Sequence, residues 1–317
     1  MKLNIKKTTI ETILISFTLI LFVFVFILPL GIAPNNVSLN YKNVTVWTHV
    51  NITNAKPEVL NVTIFEATNS SARNITIAAG SVKTVYCNAT VRDWNGYNDI
   101  IYANASLWYV PTSNSNATDD NNSHYTNVSC TLNASTSTNV GWYICSFDVL
   151  YYANNGTWSC NVTVMDTLTK TGSLFNTTVF YPVYALNVTD GIDYGNVAVE
   201  SYSSDVNANI TNLGNMAINI SVEGYGARRG DNLAMNCSDS GNISVQYEKY
   251  GLASGLDYTT GMTALNSSLG GLLISNLTMP KQNTSTQIIN ATYWKLYIPP
   301  NPAGNCTGYI IFTALAP

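Results

Sequence analysis

The chain has 317 residues, enough for two ordinary domains, with 14 Lys and Arg against 18 Asp and Glu for a net charge of −4. Charged residues make up only 10%, far below the roughly 25% of ordinary soluble domains. With no basic field, nucleic acid is excluded as a partner, and two His, His49 and His124, leave little material for histidine chemistry.

Lys2, Lys6 and Lys7 precede the uncharged run ILISFTLILFVFVFILPLGIA, residues 13–33. As a helix, this run reaches across the roughly 30 Å of a bilayer's hydrocarbon. The lysines hold residues 1–12 in the cytoplasm, so the membrane is the first expected partner and the body lies outside. A cleaved secretory signal is the alternative, with Gly31 and Ala33 as small residues before the cut, although Pro34 makes a poor junction. A pilin-like leader built on Glu11 is a third, and it lacks the expected Gly. All three readings export the body of the chain, either membrane-anchored or secreted.

The stretch NVTVWTHVNITN, residues 43–54, alternates Val44, Val46, Val50 and Ile52 with polar neighbours. On an extended chain successive side chains face opposite ways, so the spacing predicts a strand with a wet Asn/Thr face. From residue 40 onward no amphipathic helix is predicted. Short β-branched and aromatic runs recur instead at 82–91, 100–110, 158–166, 205–212, 216–225 and 289–299, separated by Asn, Gly, Ser and Asp. The tract PTSNSNATDDNNSHYTN, residues 111–127, reads as a long exposed loop. A boundary near FYPVYAL, residues 180–186, divides the body into 40–182 and 184–317. The expected fold is all-β, two β-sandwich domains after an N-terminal transmembrane helix.

Asn-x-Ser/Thr with x other than Pro is the acceptor pattern for N-linked glycans. There are 25 such triplets among 41 Asn, while 63 Ser and Thr would give roughly 8 by random placement. In 12 of them the middle residue is Val, Ile or Leu, which writes the triplet on the outward parity of a strand. Expected glycan carriers include Asn43, Asn51, Asn61, Asn74, Asn88, Asn104, Asn127, Asn161, Asn187, Asn209, Asn219, Asn242, Asn276 and Asn290.

Six Cys in an exported chain point to disulfides, and no CxxC pair supports zinc. The boundary near 183 separates Cys87, Cys130, Cys145 and Cys160 from Cys237 and Cys306, which are left to each other. Val85, Cys87, Ala89 and Val91 share one face, as do Cys160, Val162 and Val164, so both Cys point to the core. Four Cys allow three pairings.

NNGTWSCNVTV, around Cys160, resembles strand F of immunoglobulin-like domains, where an aromatic two residues earlier precedes the second bridging Cys. Trp158 stands where Tyr is usual. The resemblance implies Cys87–Cys160, leaving Cys130–Cys145 across a hairpin. AGSVKTVYCNATVRDWNGYNDI is similar to the opening strands of Ig-like modules in archaeal and bacterial surface proteins. Residues 192–226 and 293–317 resemble a β-sandwich of archaeal cell-surface glycoproteins. That resemblance implies a glycosylated surface protein and no activity.

No catalytic constellation is found: His49 and His124 have no motif around them, the acids scatter through turns, and no phosphate loop appears, so neither enzyme activity nor a cofactor is expected. RDWNGYND offers Asp93, Asn95 and Asp99 as a weak calcium set beside the plainer reading of an Asx turn. ARRGD, residues 227–231, reads as a hairpin tip. The expected role is structural or adhesive, with the last strand, YIIFTAL, adding to a second copy or a neighbouring surface protein. The alternative is a carbohydrate- or protein-binding receptor module using Trp108, Tyr109, Tyr151 and Tyr152 as a platform.

Overall fold

A computed structural model describes residues 45–66 and 74–317, of which Asn54–Pro317 form one compact unit. The apolar leader at 13–33 and Asn43 lie outside the described residues. Residues 45–53 form no strand, contrary to their alternating pattern. Val46, Trp47, Val50 and Ile52 are exposed, and His49 stacks on Trp47 at 5.4 Å. Alternation supplies a face, but a strand also needs a neighbour to take its backbone hydrogen bonds, and none pairs here. Among the described residues the first strand starts at Glu58.

The first half contains β1 (Glu58–Glu66), β2 (Asn74–Ile75), β3 (Val82–Arg92), β4 (Ile100–Tyr109), β5 (His124–Asn127), β6 (Thr131–Ser137), β7 (Val140–Leu150), β8 (Gly156–Asp166) and β9 (Thr171–Phe180). They form two sheets, β1-β3-β7-β6 and β2-β9-β8-β4-β5. Pairing is antiparallel except for the short parallel β2–β9 ladder. Inward residues of both sheets, Val62, Val85, Leu107 and Val162 among them, share one core. Trp158 is fully buried there, stacked on Phe180 at 4.6 Å. Its indole N–H donates to the Asn154 carbonyl at 2.7 Å, so its polar atom is satisfied inside an apolar site.

The tract 111–127 is not wholly an exposed loop. It ends in β5, and His124 is 1% exposed, with Nδ1 2.8 Å from Asp119 Oδ1. Its Asp and Asn residues fold the segment onto itself through Asx turns at Asn114, Asp120 and Asn127.

The second half contains β10 (Leu186–Val188), β11 (Val206–Asn212), β12 (Ile218–Tyr225), β13 (Leu233–Cys237), β14 (Asn242–Ser244), β15 (Glu248–Gly251), β16 (Thr263–Ala264), β17 (Leu272–Met279), β18 (Ile289–Leu296), β19 (Cys306–Thr307) and β20 (Tyr309–Leu315). Its sheets are β10-β11-β18-β15-β16, β17-β12-β20 and the small β14-β13-β19. Ile210, Ile220, Met279 and Trp294 form a second core, and Phe312 of β20 packs on Trp294 at 5.8 Å. Residues 181–185, which carry no strand, lead from one core to the other. Buried Asn215 fastens this passage: its Oδ1 accepts from Val183 N–H at 2.7 Å and its Nδ2 donates to the Tyr181 carbonyl at 3.1 Å.

Three disulfides are present, Cys87–Cys160, Cys130–Cys145 and Cys237–Cys306. The first joins the two sheets of the first half through its core. The other two tie the start of the β6–β7 hairpin and the β13–β19 pair. The closed loops span 73 and 15 residues for the first two bridges. Replacing both Cys of Cys87–Cys160 by Ala should therefore lower unfolding free energy by about 4 kcal/mol, and the same change at Cys130–Cys145 by about 3 kcal/mol. Urea unfolding checks the order.

Candidate functional site

The Asn-x-Ser/Thr asparagines are all at least partly accessible among the described residues; none is buried. The two fully buried asparagines, Asn212 and Asn215, belong to no such triplet. Within the triplets Val62, Ile75, Val162, Ile210, Ile220 and Ile243 are buried between accessible Asn residues and the hydroxyl residue two positions on. A strand's period of two thus puts each acceptor amide on the wet face.

Sheet edges follow a related pattern. The edge strands β1, β2, β5, β6, β10, β14 and β17 each carry an acceptor Asn: Asn61, Asn74, Asn127, Asn133, Asn187, Asn242 and Asn276. β20 is a seven-residue edge with none, and the two-residue edges β16 and β19 also have none. It pairs with β12 on one side, and no described strand takes the other. Ile310, Phe312 and Ala314 face the second core, so Ile311 and Thr313 lie on the opposite face. A groove of about 230 Å³ runs beside this strand, lined by residues 188–192, Met235, Glu248 and Phe312.

Glu248 is 2% exposed and has no cationic partner among the described residues; the Tyr194 hydroxyl donates to its Oε1 at 2.7 Å. Burial pushes its pKa up to about 7, against the opposing pull of that hydrogen bond.

Carboxylates gather at one other place. Asp93 follows β3, Asp99 ends the short 3-10 turn Tyr97–Asp99, and Asp166 ends β8. One carboxylate oxygen from each lies within 4.8 Å of the others. Asp93 and Asp166 are fully buried. Asp93 Oδ1 accepts from Asn95 N–H at 2.8 Å, while its buried Oδ2 has no partner. Asp166 Oδ1 accepts from Leu168 and Lys170 N–H at 2.9 and 2.8 Å, and Oδ2 from Asn54 Nδ2 at 2.7 Å. The Thr167 hydroxyl donates to Asp99. Burial, with the negative charges of Asp99 and Asp166, raises the Asp93 pKa; at Asp166 burial is outweighed by the hydrogen bonds from Asn54, Lys170 and Leu168, and its pKa falls.

Asn95 stands apart, exposed, with its Oδ1 accepting from Ala55 N–H at 2.6 Å. Asp166 was not in the sequence-derived set, yet a signal for it exists. Cys160, Val162, Val164 and Asp166 share the buried parity of β8, as Val85, Cys87, Ala89, Val91 and Asp93 do on β3 and just beyond. An acid on a core-facing parity is the mark.

The aromatic platform does not form. Tyr151 and Tyr152 are buried, Tyr151 bonding to buried Gln282, and Lys281 Nζ donates to the Tyr152 carbonyl at 3.1 Å. Tyr109 packs against Trp158 at 5.9 Å, and Trp108 is half-buried. Tyr109 packs on the core, and Tyr151 and Tyr152 meet residues 281–282, so they present no shared face with Trp108. Arg229-Gly230-Asp231 is no hairpin tip, since β12 and β13 lie in different sheets. Asp231 accepts from Gly226, Ala227, Arg228 and Leu233 N–H. Although burial opposes it, these bonds pull its pKa down to about 2, and Arg229 pairs with buried Glu223.

No protein-family model matches this chain, and no curated protein matches it. Among solved structures, it is similar to the CsuC–CsuE chaperone–tip adhesion subunit complex of Acinetobacter baumannii Csu pili, at 10% identity and TM-score 0.38, covering 76% of this chain and 96% of that one. It is also similar to the C-terminal domain of the Streptococcus agalactiae AgI/II polypeptide BspA, at 12% identity and TM-score 0.23, covering 82% and 100%. A carbohydrate-binding module of the β-sandwich superfamily aligns at 11% identity and TM-score 0.23, covering 82% and 97%. Nothing about ligand or partner passes from these proteins to this chain.

The Glu248 site yields a pH test. Because its folded pKa lies above the ordinary 4.5, the folded form holds the extra proton between about 4.5 and about 7. Stability is therefore full below that window and falls as pH rises through it. Glu248→Gln removes the slope: its melting temperature relative to wild type should climb from pH 4.5 to pH 7.5, a swing of order 3 kcal/mol in unfolding free energy.

Proposed function

We propose that this is an exported, N-glycosylated surface protein with a structural or adhesive role, held at the membrane by residues 13–33 and assembling through β20. Three disulfides fit an oxidising compartment outside the cytoplasm. The first sandwich has the strand order of an immunoglobulin-like domain: β1-β3-β7-β6 faces a sheet containing β9-β8-β4, with its bridge between the β3 and β8 positions. The second half, with its additional small sheet, reads as a second β-sandwich domain of a related surface-protein kind.

The single observation that carries the assembly reading is the bare edge of β20. An unpaired edge is a template for another chain, and proteins blunt such edges with charge, twist or cover. Here glycan on the acceptor Asn of seven other edge strands would blunt them, and the remaining edges, β16 and β19, are only two residues long. β20, seven residues long and apolar, has no such guard. A strand from a second copy or a neighbouring surface protein would add to it through backbone hydrogen bonds. The alternative, a carbohydrate- or protein-binding receptor module, loses Tyr151 and Tyr152 as platform residues through their burial.

The test puts lysines on the outward side of that edge, Ile311→Lys with Thr313→Lys, leaving Ile310, Phe312 and Ala314 in the core. Sedimentation velocity of the detergent-solubilised full chain should show assemblies in the wild type and monomers in the variant, with little change in melting temperature. A monomeric wild type, or assemblies unaltered by the lysines, would refute self-assembly through β20.

A further inference from the structure

We propose that Asp93, Asp99 and Asp166 form a Ca²⁺ site that fastens the turn after β3 to the end of β8. The site lies within the first sandwich and does not depend on the assembly reading above. Three carboxylates whose oxygens approach within 4.8 Å repel one another unless something positive sits among them. No side-chain cation pairs with them directly: none of the ion pairs among the described residues involves these three acids, and the Lys170 charge acts on Asp166 only from a distance.

The independent sign is Asp93 Oδ2. It is buried, it accepts no hydrogen bond, and it belongs to a carboxylate with no exposure. Orphaned buried oxygens are rare because each forfeits its hydration for nothing. A bound cation removes the anomaly and the repulsion together. The other two carboxylates are already oriented. Asp166 is fixed by Leu168, Lys170 and Asn54, and Asp99 by Thr167.

The donor chemistry selects the metal. All donors are oxygen, which suits a hard cation, and the absence of Cys or His from the cluster argues against zinc. Ca²⁺ takes six to eight oxygens at about 2.3–2.6 Å, so two ligands on opposite sides of it stand up to about 5 Å apart. The observed spread fits that span. Mg²⁺ demands a tighter octahedron at about 2.0–2.1 Å and dehydrates reluctantly, so it fits less well. Water would complete the shell on the half-buried Asp99 side. Bound there, Ca²⁺ cross-links two connections far apart in sequence.

The experiment uses the full chain in detergent, stripped with EDTA and titrated with CaCl₂ or MgCl₂ while melting temperature and binding heat are followed. Ca²⁺ should bind with a dissociation constant of about 10⁻⁴–10⁻³ M, as extracellular modules do. At tenfold excess over that constant it should raise the melting temperature by roughly 3–5 °C, with Mg²⁺ giving less than half the shift. Asp93→Asn should abolish the Ca²⁺ shift and raise the metal-free melting temperature. Asp99→Asn, on the accessible side, serves if Asp93→Asn fails to fold and should weaken binding at least tenfold. No heat and no shift up to 10 mM CaCl₂ in the wild type would overturn the site, as would a Ca²⁺ response unchanged in the variants that fold.

Discussion

The two-residue period of the β-strand is the constraint on which the rest of this structure depends. It lets one short triplet serve two purposes, since in Asn61-Val62-Thr63 or Asn161-Val162-Thr163 the middle residue enters the core and its neighbours stay accessible. In a chain with 10% charged residues and few ion pairs among the described residues, that alternation gives the strands the polar face that Lys and Glu supply elsewhere. The Cys87–Cys160 bridge depends on the same period, because both sulfurs must fall on inward parities before they can meet across the core. Trp158 shares that demand and is tolerated at full burial because its indole N–H reaches the Asn154 carbonyl.

Much of the strand content was legible for this reason. The runs at 82–91, 100–110, 158–166, 205–212, 216–225 and 289–299 all contain strands of the structure, as does YIIFTAL. Disulfide pairing was harder to read. The β3–β7 register sets Cys87 opposite Cys145, so inward-facing Cys residues cluster and parity alone cannot choose among partners. Residues 45–53 show the converse failure, where alternation is present and no ladder forms. Local pattern records which side chains share a face, while pairing depends on partners distant in the chain. The same gap hid Asp166 from the calcium set, because its neighbourhood to Asp93 is created by the packing of the sheets.

Inward-pointing acids are the exceptions to the pattern, and they fall into distinct kinds. Glu223 is buried with Arg229 beside it, and that pairing, with the Gly270 N–H, keeps its pKa low. Glu248 is buried with only a tyrosine hydroxyl, so its pKa rises. Asp93 has a backbone donor on one oxygen and nothing on the other. Partnered acids tie the fold together; those lacking a charge partner are where a proton or a metal ion can act on it. That contrast separates the structural carboxylates from the two sites singled out above.

The account rests on this chain living outside the cytoplasm, sheathed in sugar and cross-linked by sulfur. Intact mass spectrometry of protein purified from its natural source, before and after deglycosylation and after alkylation without reductant, tests that most directly. The account predicts a mass well above the polypeptide's 34.5 kDa that falls on deglycosylation, with all six Cys refractory to alkylation. Protein of bare polypeptide mass with alkylated thiols would contradict it.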